Sequence, residues 1–132
     1  MTPIRVLIVD DAMFMRSMIK DILNNASGRY EVVGEASNGR EAIARFRELN
    51  PELVTMDIVM PQLDGIEATR EILKVNPAAV IVMCSAMGQE ALVVESISAG
   101  AKDFIVKPFT SDRVLQVLGK VMPGASGGSA AP

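Results

Sequence analysis

Short apolar runs alternate along the chain with longer segments whose apolar residues recur at helical spacing. This alternation is typical of βα units around a parallel sheet, and five such units fit the sequence. The predicted strands are residues 5–9, 30–36, 53–56, 80–84 and 103–106. Four are continuous Val/Ile/Leu-type runs, as expected of strands buried on both faces, while Glu31 and Glu35 make 30–36 the predicted edge strand.

The longer segments carry apolar residues three and four positions apart, which predicts amphipathic helices. The two clearest contain Met15, Met18, Ile19, Ile22 and Leu23, and Val114, Val117, Leu118, Val121 and Met122. Three more are marked by Ala42, Phe46 and Leu49 before Pro51, by Ile66, Thr69 and Leu73, and by Val93, Val94 and Ile97 before Gly100.

The composition narrows the possible functions of this 132-residue chain. We expect one domain over residues 1–122 and a flexible tail over 123–132, which contains only Gly, Ser, Ala and Pro. A net charge of -3 argues against a nucleic-acid partner, and the absence of His excludes His-based catalysis and His-ligated zinc. Cys84 has apolar neighbours and is predicted to be a buried thiol. Without a signal peptide or membrane-spanning stretch, the chain is expected to be soluble, cytoplasmic and independent of membranes.

Polar side chains follow four of the five predicted strands. Asp10 and Asp11 follow the first strand, Asp57 the third, Ser85 the fourth and Lys107 the fifth. Open parallel sheets bind their ligands outside the carboxyl ends of the strands. We therefore expect these side chains to converge at one edge of the sheet.

This set of residues suits a divalent cation and a phosphoryl group. Asp57 is the candidate nucleophile, because an ionised carboxylate attacks phosphorus without a general base and gives an aspartyl phosphate. Neighbouring carboxylates raise each other's pKa unless a cation such as Mg²⁺, which prefers oxygen ligands, compensates them. Lys107 would then neutralise a phosphoryl oxygen, and Ser85 would donate a hydrogen bond to another.

Each of these residues also has an ordinary structural explanation. Asp11 fits the cap of the helix that begins near Ala12, and Asp57 fits the start of a turn. Lys107 alone would be a solvated charge, and Ser85 a turn former. Independent turn residues have no reason to supply this combination together, so the set favours a functional site.

Several segments resemble the response-regulator receiver domains of bacterial two-component systems, over about residues 4–122. The matching segments are Val6-Leu7-Ile8-Val9-Asp10-Asp11, Asp57-Ile58-Val59-Met60-Pro61, Asp64-Gly65, Ser85-Ala86 and the stretch 102–109. Phe14-Met15-Arg16 and Cys84-Ser85-Ala86-Met87-Gly88 are similar to the single-domain chemotaxis branch. The resemblance implies an α/β, flavodoxin-like (βα)5 three-layer sandwich with strand order 2-1-3-4-5, a fold that is itself a standard example of the ligand-edge rule.

The resemblance also implies roles for individual residues. Asp57 would be the phosphoacceptor, and Mg²⁺ would be held by Asp11 directly, by Asp10 largely through water, by Asp57 and by the main-chain carbonyl of Val59. Lys107 would pair with the phosphoryl group and precede a cis bond to Pro108.

Ser85 would be the switch hydroxyl and Phe104 the switch aromatic residue, which turns into the space that Ser85 vacates. That movement would remodel the surface of the fourth helix, fifth strand and fifth helix. Core packing is a second, less favoured explanation of Phe104, since aromatic residues on strands usually pack.

The implied function is that of a signalling switch and not of an enzyme. The chain would accept phosphate from a chemotaxis histidine kinase, assist its own phosphorylation and dephosphorylation, and signal as a monomer to a flagellar motor switch protein, with a phosphatase as a further partner.

The alternatives are the receiver part of a chemotaxis methylesterase, joined through the tail as linker, and a stand-alone receiver of another phosphorelay. A remote alternative is an aspartyl-phosphate phosphatase, although Asp10-Asp11-Ala12 breaks the D-x-D pattern of that class. Flavodoxin-like carriers and dinucleotide enzymes need phosphate loops in which paired Asp residues have the wrong charge.

Three residues depart from the usual receiver pattern. Phe104 lacks the hydroxyl of the Tyr that many chemotaxis members carry, so a partner that reads this hydroxyl is disfavoured. Val59 and Met87 are apolar where other members often have polar side chains that flank the phosphoryl group. Because apolar side chains cannot position an attacking water, we expect the aspartyl phosphate to decay slowly without a phosphatase.

Overall fold

Five strands alternate with five helices along residues 2–86 and 88–122, the part of the chain that the computed structural model describes. The strands are β1 (Ile4–Val9), β2 (Tyr30–Ala36), β3 (Leu53–Met56), β4 (Val80–Ser85) and β5 (Asp103–Val106). All five predicted strands are confirmed, with β1 starting one residue earlier and β4 ending one residue later than predicted. The predicted tail 123–132 and Met87 lie outside the described residues.

The strands form one parallel sheet in the order β2-β1-β3-β4-β5. This is the order that the resemblance implied, and β2 with its glutamates lies at an edge, as predicted. The order reverses between β1 and β3, because the chain moves outward to β2 and then crosses back past β1. The carboxyl ends of β1 and β3 are therefore where a ligand is expected to bind.

The helices are α1 (Met13–Asn24), α2 (Gly39–Leu49), α3 (Gly65–Val75), α4 (Glu90–Ser98) and α5 (Ser111–Val121). Three begin at a side-chain cap, in which Asn38, Asp64 or Thr110 accepts a hydrogen bond from a backbone N–H of the first turn. α2 ends at Asn50, whose φ of 45° is left-handed, and Pro51 follows as predicted. None of the helices in the described ranges is long and apolar enough to cross a membrane.

Each face of the sheet is covered by a layer of helices, and one apolar core lies between the sheet and each layer. Val6 and Ile8 of β1 face α1 and α5, while Leu7 and Val9 face the opposite side, because side chains alternate along a strand. The second core includes Phe46 of α2 and residues of α3. The three-layer α/β architecture is thus confirmed.

The buried face of α4 differs from the predicted one. Val93 packs against the core, but Val94 and Ile97, which the pattern grouped with it, are 57% and 46% exposed. Ser96 is fully buried instead, and its hydroxyl donates a 2.8 Å hydrogen bond to the carbonyl oxygen of Leu92. A polar residue occupies the inner face because its own helix satisfies the hydroxyl.

Candidate functional site

The Asp10-Asp11 pair forms a tight turn between β1 and α1. Asp10 is 1% exposed, and its Oδ1 accepts a 2.9 Å hydrogen bond from the backbone N–H of Ala12. Its own backbone N–H donates to the carbonyl oxygen of Ala36 on the neighbouring strand. Asp11 is exposed, and the cap position of α1 is Ala12, with no side-chain cap. The capping explanation of Asp11 is therefore wrong, and its carboxylate stays available for another role.

Asp57 lies directly after β3 and is held in place by main-chain contacts. Its backbone N–H donates to the carbonyl oxygen of Val9, and its Oδ1 accepts a 2.9 Å hydrogen bond from the N–H of Ile58. Gly65 begins α3 so close to Asp57 that a Cβ at position 65 would lie 1.9 Å from the Asp57 carbonyl oxygen. Glycine is required there by this close approach of two backbones.

Lys107 links the two acidic segments. Its Nζ lies 2.5 Å from Asp10 Oδ2 and 3.7 Å from Asp57 Oδ1, and its side chain is largely buried. The Lys107–Pro108 peptide bond is cis, as the resemblance implied. The backbone N–H of Lys107 donates to the carbonyl oxygen of Ser85, which joins the ends of β4 and β5.

The charges in this pocket are unbalanced, since one ammonium faces three carboxylates. Burial, reinforced by the negative charge of Asp10, raises the pKa of Asp57 to about 6, although Lys107 acts in the opposite direction. Burial alone would lower the pKa of Lys107, but its hydrogen bond to Asp10 and the charge of Asp57 raise that pKa above its ordinary value. The pocket thus favours the arrival of further positive charge.

Asp10, Asp11 and Asp57 form the acidic cluster that the sequence predicted. Each contributes a carboxylate oxygen, and these oxygens all lie within 4.8 Å of one another. Hard oxygen donors at this separation fit a divalent cation of the Mg²⁺ type, which binds a few protein oxygens and retains waters. Val59, whose main-chain carbonyl was the further expected ligand, lies two residues after Asp57 with its side chain 60% exposed.

The two predicted switch residues lie on the neighbouring strands. Ser85 ends β4, is buried, and pairs in register with Val106 of β5. Phe104 pairs with Met83 and is buried in the core on the side of α2, α3 and α4. This packing agrees with the core explanation of Phe104, and the switch roles of both residues stay predictions.

Cys84, next to Ser85, is a buried thiol as predicted. Burial raises the pKa of its thiol to about 12, so the unreactive protonated form dominates.

One residue of the site escaped the sequence reasoning. Arg16, in the first turns of α1, donates from Nη1 to the carbonyl oxygen of Asp10 at 2.7 Å and from Nε to Glu35 Oε1 at 2.9 Å. A cation shortly after an acidic pair was the available signal, but an arginine on a helix surface usually has no such contacts.

Comparison with known proteins identifies the family. The model of the response regulator receiver domain matches residues 6–119. The chain is 62% identical over 117 residues to the chemotaxis protein CheY of Thermotoga maritima, covering 89% of this chain and 96% of that protein. It is 57% identical over 118 residues to the CheY of Bacillus subtilis, covering 89% and 97% of the two chains.

Solved structures give the same result. One chain of the CheX–CheY–BeF3–Mg+2 complex from Borrelia burgdorferi superimposes with a TM-score of 0.86 at 36% identity, covering 92% of this chain and 90% of that one. The strand order, the acidic cluster and these similarities agree with one another. The chain belongs to the response-regulator receiver family and is a chemotaxis response regulator of the CheY type, a signalling switch and not a classical enzyme.

Proposed function

We propose that Asp57 accepts a phosphoryl group from a chemotaxis histidine kinase, with Mg²⁺ held by Asp10, Asp11, Asp57 and the main-chain carbonyl of Val59. The observation that carries this proposal is the position of the Asp57 carboxylate. It belongs to an oxygen cluster within 4.8 Å, and its Oδ1 is 3.7 Å from the Lys107 ammonium. A nucleophile, a metal-binding set and a cation thus meet at one place.

The chemistry follows from how Asp57 and Lys107 are held. Asp57 is mainly ionised at neutral pH, because its pKa of about 6 lies below that pH. A carboxylate oxygen attacks the phosphorus of the phosphohistidine as the P–N bond breaks, and the freed histidine takes a proton. Bound Mg²⁺ would supply the charge that offsets the carboxylates and the phosphoryl oxygens. Lys107 needs only a short movement of its flexible stem to exchange Asp10 for a phosphoryl oxygen.

The signal would then pass from the phosphoryl group to the surface. Ser85 donates a hydrogen bond to a phosphoryl oxygen, and Phe104 turns into the space that Ser85 leaves. The surface of α4, β5 and α5 changes with it, and a flagellar motor switch protein reads that change. The phosphoryl group needs to supply only the few kcal/mol, on the order of 2–5, that separate the two surfaces.

Reset of the switch would depend on a second protein. Val59 is exposed beside Asp57 and apolar, so it cannot orient an attacking water, and hydrolysis by the chain itself is slow. The match to a CheX–CheY complex supports a CheX-type phosphatase as the partner that supplies the missing polar groups. We place the exchange among kinase, switch and phosphatase in the cytoplasm, with the chain acting as a monomer.

Transfer from a phosphohistidine donor tests the assignment of Asp57. The kinase is labelled at its histidine and mixed with wild type, Asp57→Asn or Asp64→Asn. Asp64→Asn is a matched control in the same loop, because asparagine caps α3 as well as aspartate does. We expect label on wild type and Asp64→Asn only. Label retained by Asp57→Asn would show that another residue is the phosphoacceptor.

A pull-down tests the output partner. Wild-type protein, phosphorylated or unmodified, is incubated with a flagellar motor switch protein, and the bound fractions are compared. We expect the phosphorylated form to bind more strongly. Equal binding of the two forms would favour the stand-alone receiver of another pathway.

A further inference from the structure

The Arg16 guanidinium joins the acidic turn to the edge strand of the sheet. Nη1 donates to the main-chain carbonyl oxygen of Asp10 at 2.7 Å, while Nε donates to Glu35 Oε1 of β2 at 2.9 Å. The Arg16 side chain is 16% exposed and its partner Glu35 33%, so the guanidinium is the more shielded side of this pair. Charged donors in such surroundings form stronger hydrogen bonds than neutral ones.

Glu35 is a fixed anchor for this arginine. Its Oε2 lies 3.4 Å from Lys20 Nζ, so two cations of α1 hold its carboxylate. Its backbone is paired with Ile8 of β1 in the sheet. The guanidinium is thus held at two points, the turn after β1 and a side chain of the edge strand.

Asp11 depends on this arrangement more than Asp10 does. The Asp10 carboxylate is held by Ala12 and Lys107, whereas the Asp11 carboxylate makes no hydrogen bond or ion pair with any residue of the described ranges. The Asp10 carbonyl belongs to the planar peptide that joins Asp10 to Asp11, so fixing its oxygen orients the Asp11 backbone. The hydrogen bond from Arg16 therefore helps to fix the Cα of Asp11, from which the carboxylate side chain extends.

We propose that Arg16 is a positioning residue of the metal site, which holds the Asp10–Asp11 peptide so that the Asp11 carboxylate lies beside those of Asp10 and Asp57. The inference rests on the proposed Mg²⁺ site. Arg16 does not touch the metal and acts only through the backbone of the turn. Loss of such an outer partner commonly weakens metal binding by about 10–100-fold.

The test measures Mg²⁺ affinity by titration calorimetry in wild type, Arg16→Met, Arg16→Lys and Arg45→Met. Methionine keeps the length of the stem without the guanidinium. Arg45→Met is the matched control, since Arg45 pairs with Glu48 on an exposed face of α2 and contacts no residue of the acidic cluster. Amide hydrogen exchange at Asp10 and Ala12, whose N–H groups are hydrogen-bonded, is followed in the metal-free proteins as a second measurement that needs no bound metal.

We expect Arg16→Met to weaken Mg²⁺ binding about tenfold and to speed exchange at Asp10 and Ala12. Arg16→Lys should recover part of the affinity, because an ammonium can still reach one of the two acceptors. Arg45→Met should match wild type.

Wild-type affinity and exchange in Arg16→Met would overturn the inference and leave the metal site intact. Equal losses in Arg16→Met and Arg45→Met would also overturn it. Failure of wild type itself to bind Mg²⁺ would overturn the proposed metal site and the role of Arg16 with it.

Discussion

Replacement of the Asp57 carboxylate by its neutral isostere should stabilise the metal-free protein. The pKa of Asp57 is about 6 in the folded chain against 3.8 for an unperturbed aspartate, because burial and the charge of Asp10 disfavour the ionised form. As pH rises through this window, the unfolded chain loses its proton before the folded chain does. The free energy of unfolding therefore falls between the two pKa values and carries the full penalty above about pH 6.

The size of the penalty follows from the shift. One pKa unit corresponds to about 1.4 kcal/mol, so a shift of roughly two units sets an upper limit of about 3 kcal/mol. Water at the mouth of the pocket screens part of this, and a buried amide has its own desolvation cost, so we expect about 1–2 kcal/mol for Asp57→Asn. The Lys107 ammonium retains its ion pair with Asp10 in this variant.

Urea unfolding followed by circular dichroism, with a chelator present, measures this difference. The free energy of unfolding of Asp57→Asn should exceed that of wild type at about pH 7.5, and the difference should shrink as pH approaches about 4.5. Asp64→Asn, the cap control, should follow wild type. Mg²⁺ should then stabilise wild type more than Asp57→Asn, since a ligand stabilises the state that binds it. The reasoning would be refuted if Asp57→Asn were no more stable than wild type at the higher pH, or if its extra stability were undiminished at the lower pH.

Three further predictions concern single side chains. Val59→Asn should shorten the lifetime of the aspartyl phosphate, because an amide can orient water; rapid decay in wild type, unchanged in Val59→Asn, would contradict the slow-reset account. Thr55→Val should raise the free energy of unfolding by about 1 kcal/mol in urea melts, since the buried Thr55 hydroxyl has no hydrogen-bond partner in the described part of the chain. A destabilised Thr55→Val variant would show that the hydroxyl is satisfied. Cys84 should resist alkylation at about pH 8 in the folded protein and react in urea, because burial raises its pKa to about 12. Equal alkylation rates in both states would contradict its burial.

The fold was predictable because its strands and helices are encoded locally. The buried strands are continuous apolar runs, and Glu31 and Glu35 distinguish the edge strand from them. The face of α4 was not predictable, since the burial of Ser96 depends on a hydrogen bond to Leu92 that hydropathy ignores.

The sequence was sufficient to predict which residues meet at the candidate site, but not which of them contact each other. Parallel strands bring their carboxyl ends to one edge, which is sufficient to collect the acidic residues and Lys107. The ion pair of Lys107 with Asp10 joins the ends of β1 and β5, which are not neighbours in the sheet. The contact of Arg16 with a main-chain carbonyl depends on how α1 packs against the sheet. Sequence spacing carries no information about such contacts between distant segments.

The central claim is tested most directly by the location of the phosphoryl group after transfer from the kinase in Mg²⁺ and in chelator. The aspartyl phosphate is reduced with borohydride, and mass spectrometry of peptides identifies the residue that carried it. The account predicts modification at Asp57 alone, and only with Mg²⁺. Modification at Asp10, Asp11 or Ser85, or transfer that is equally fast in chelator, would contradict it.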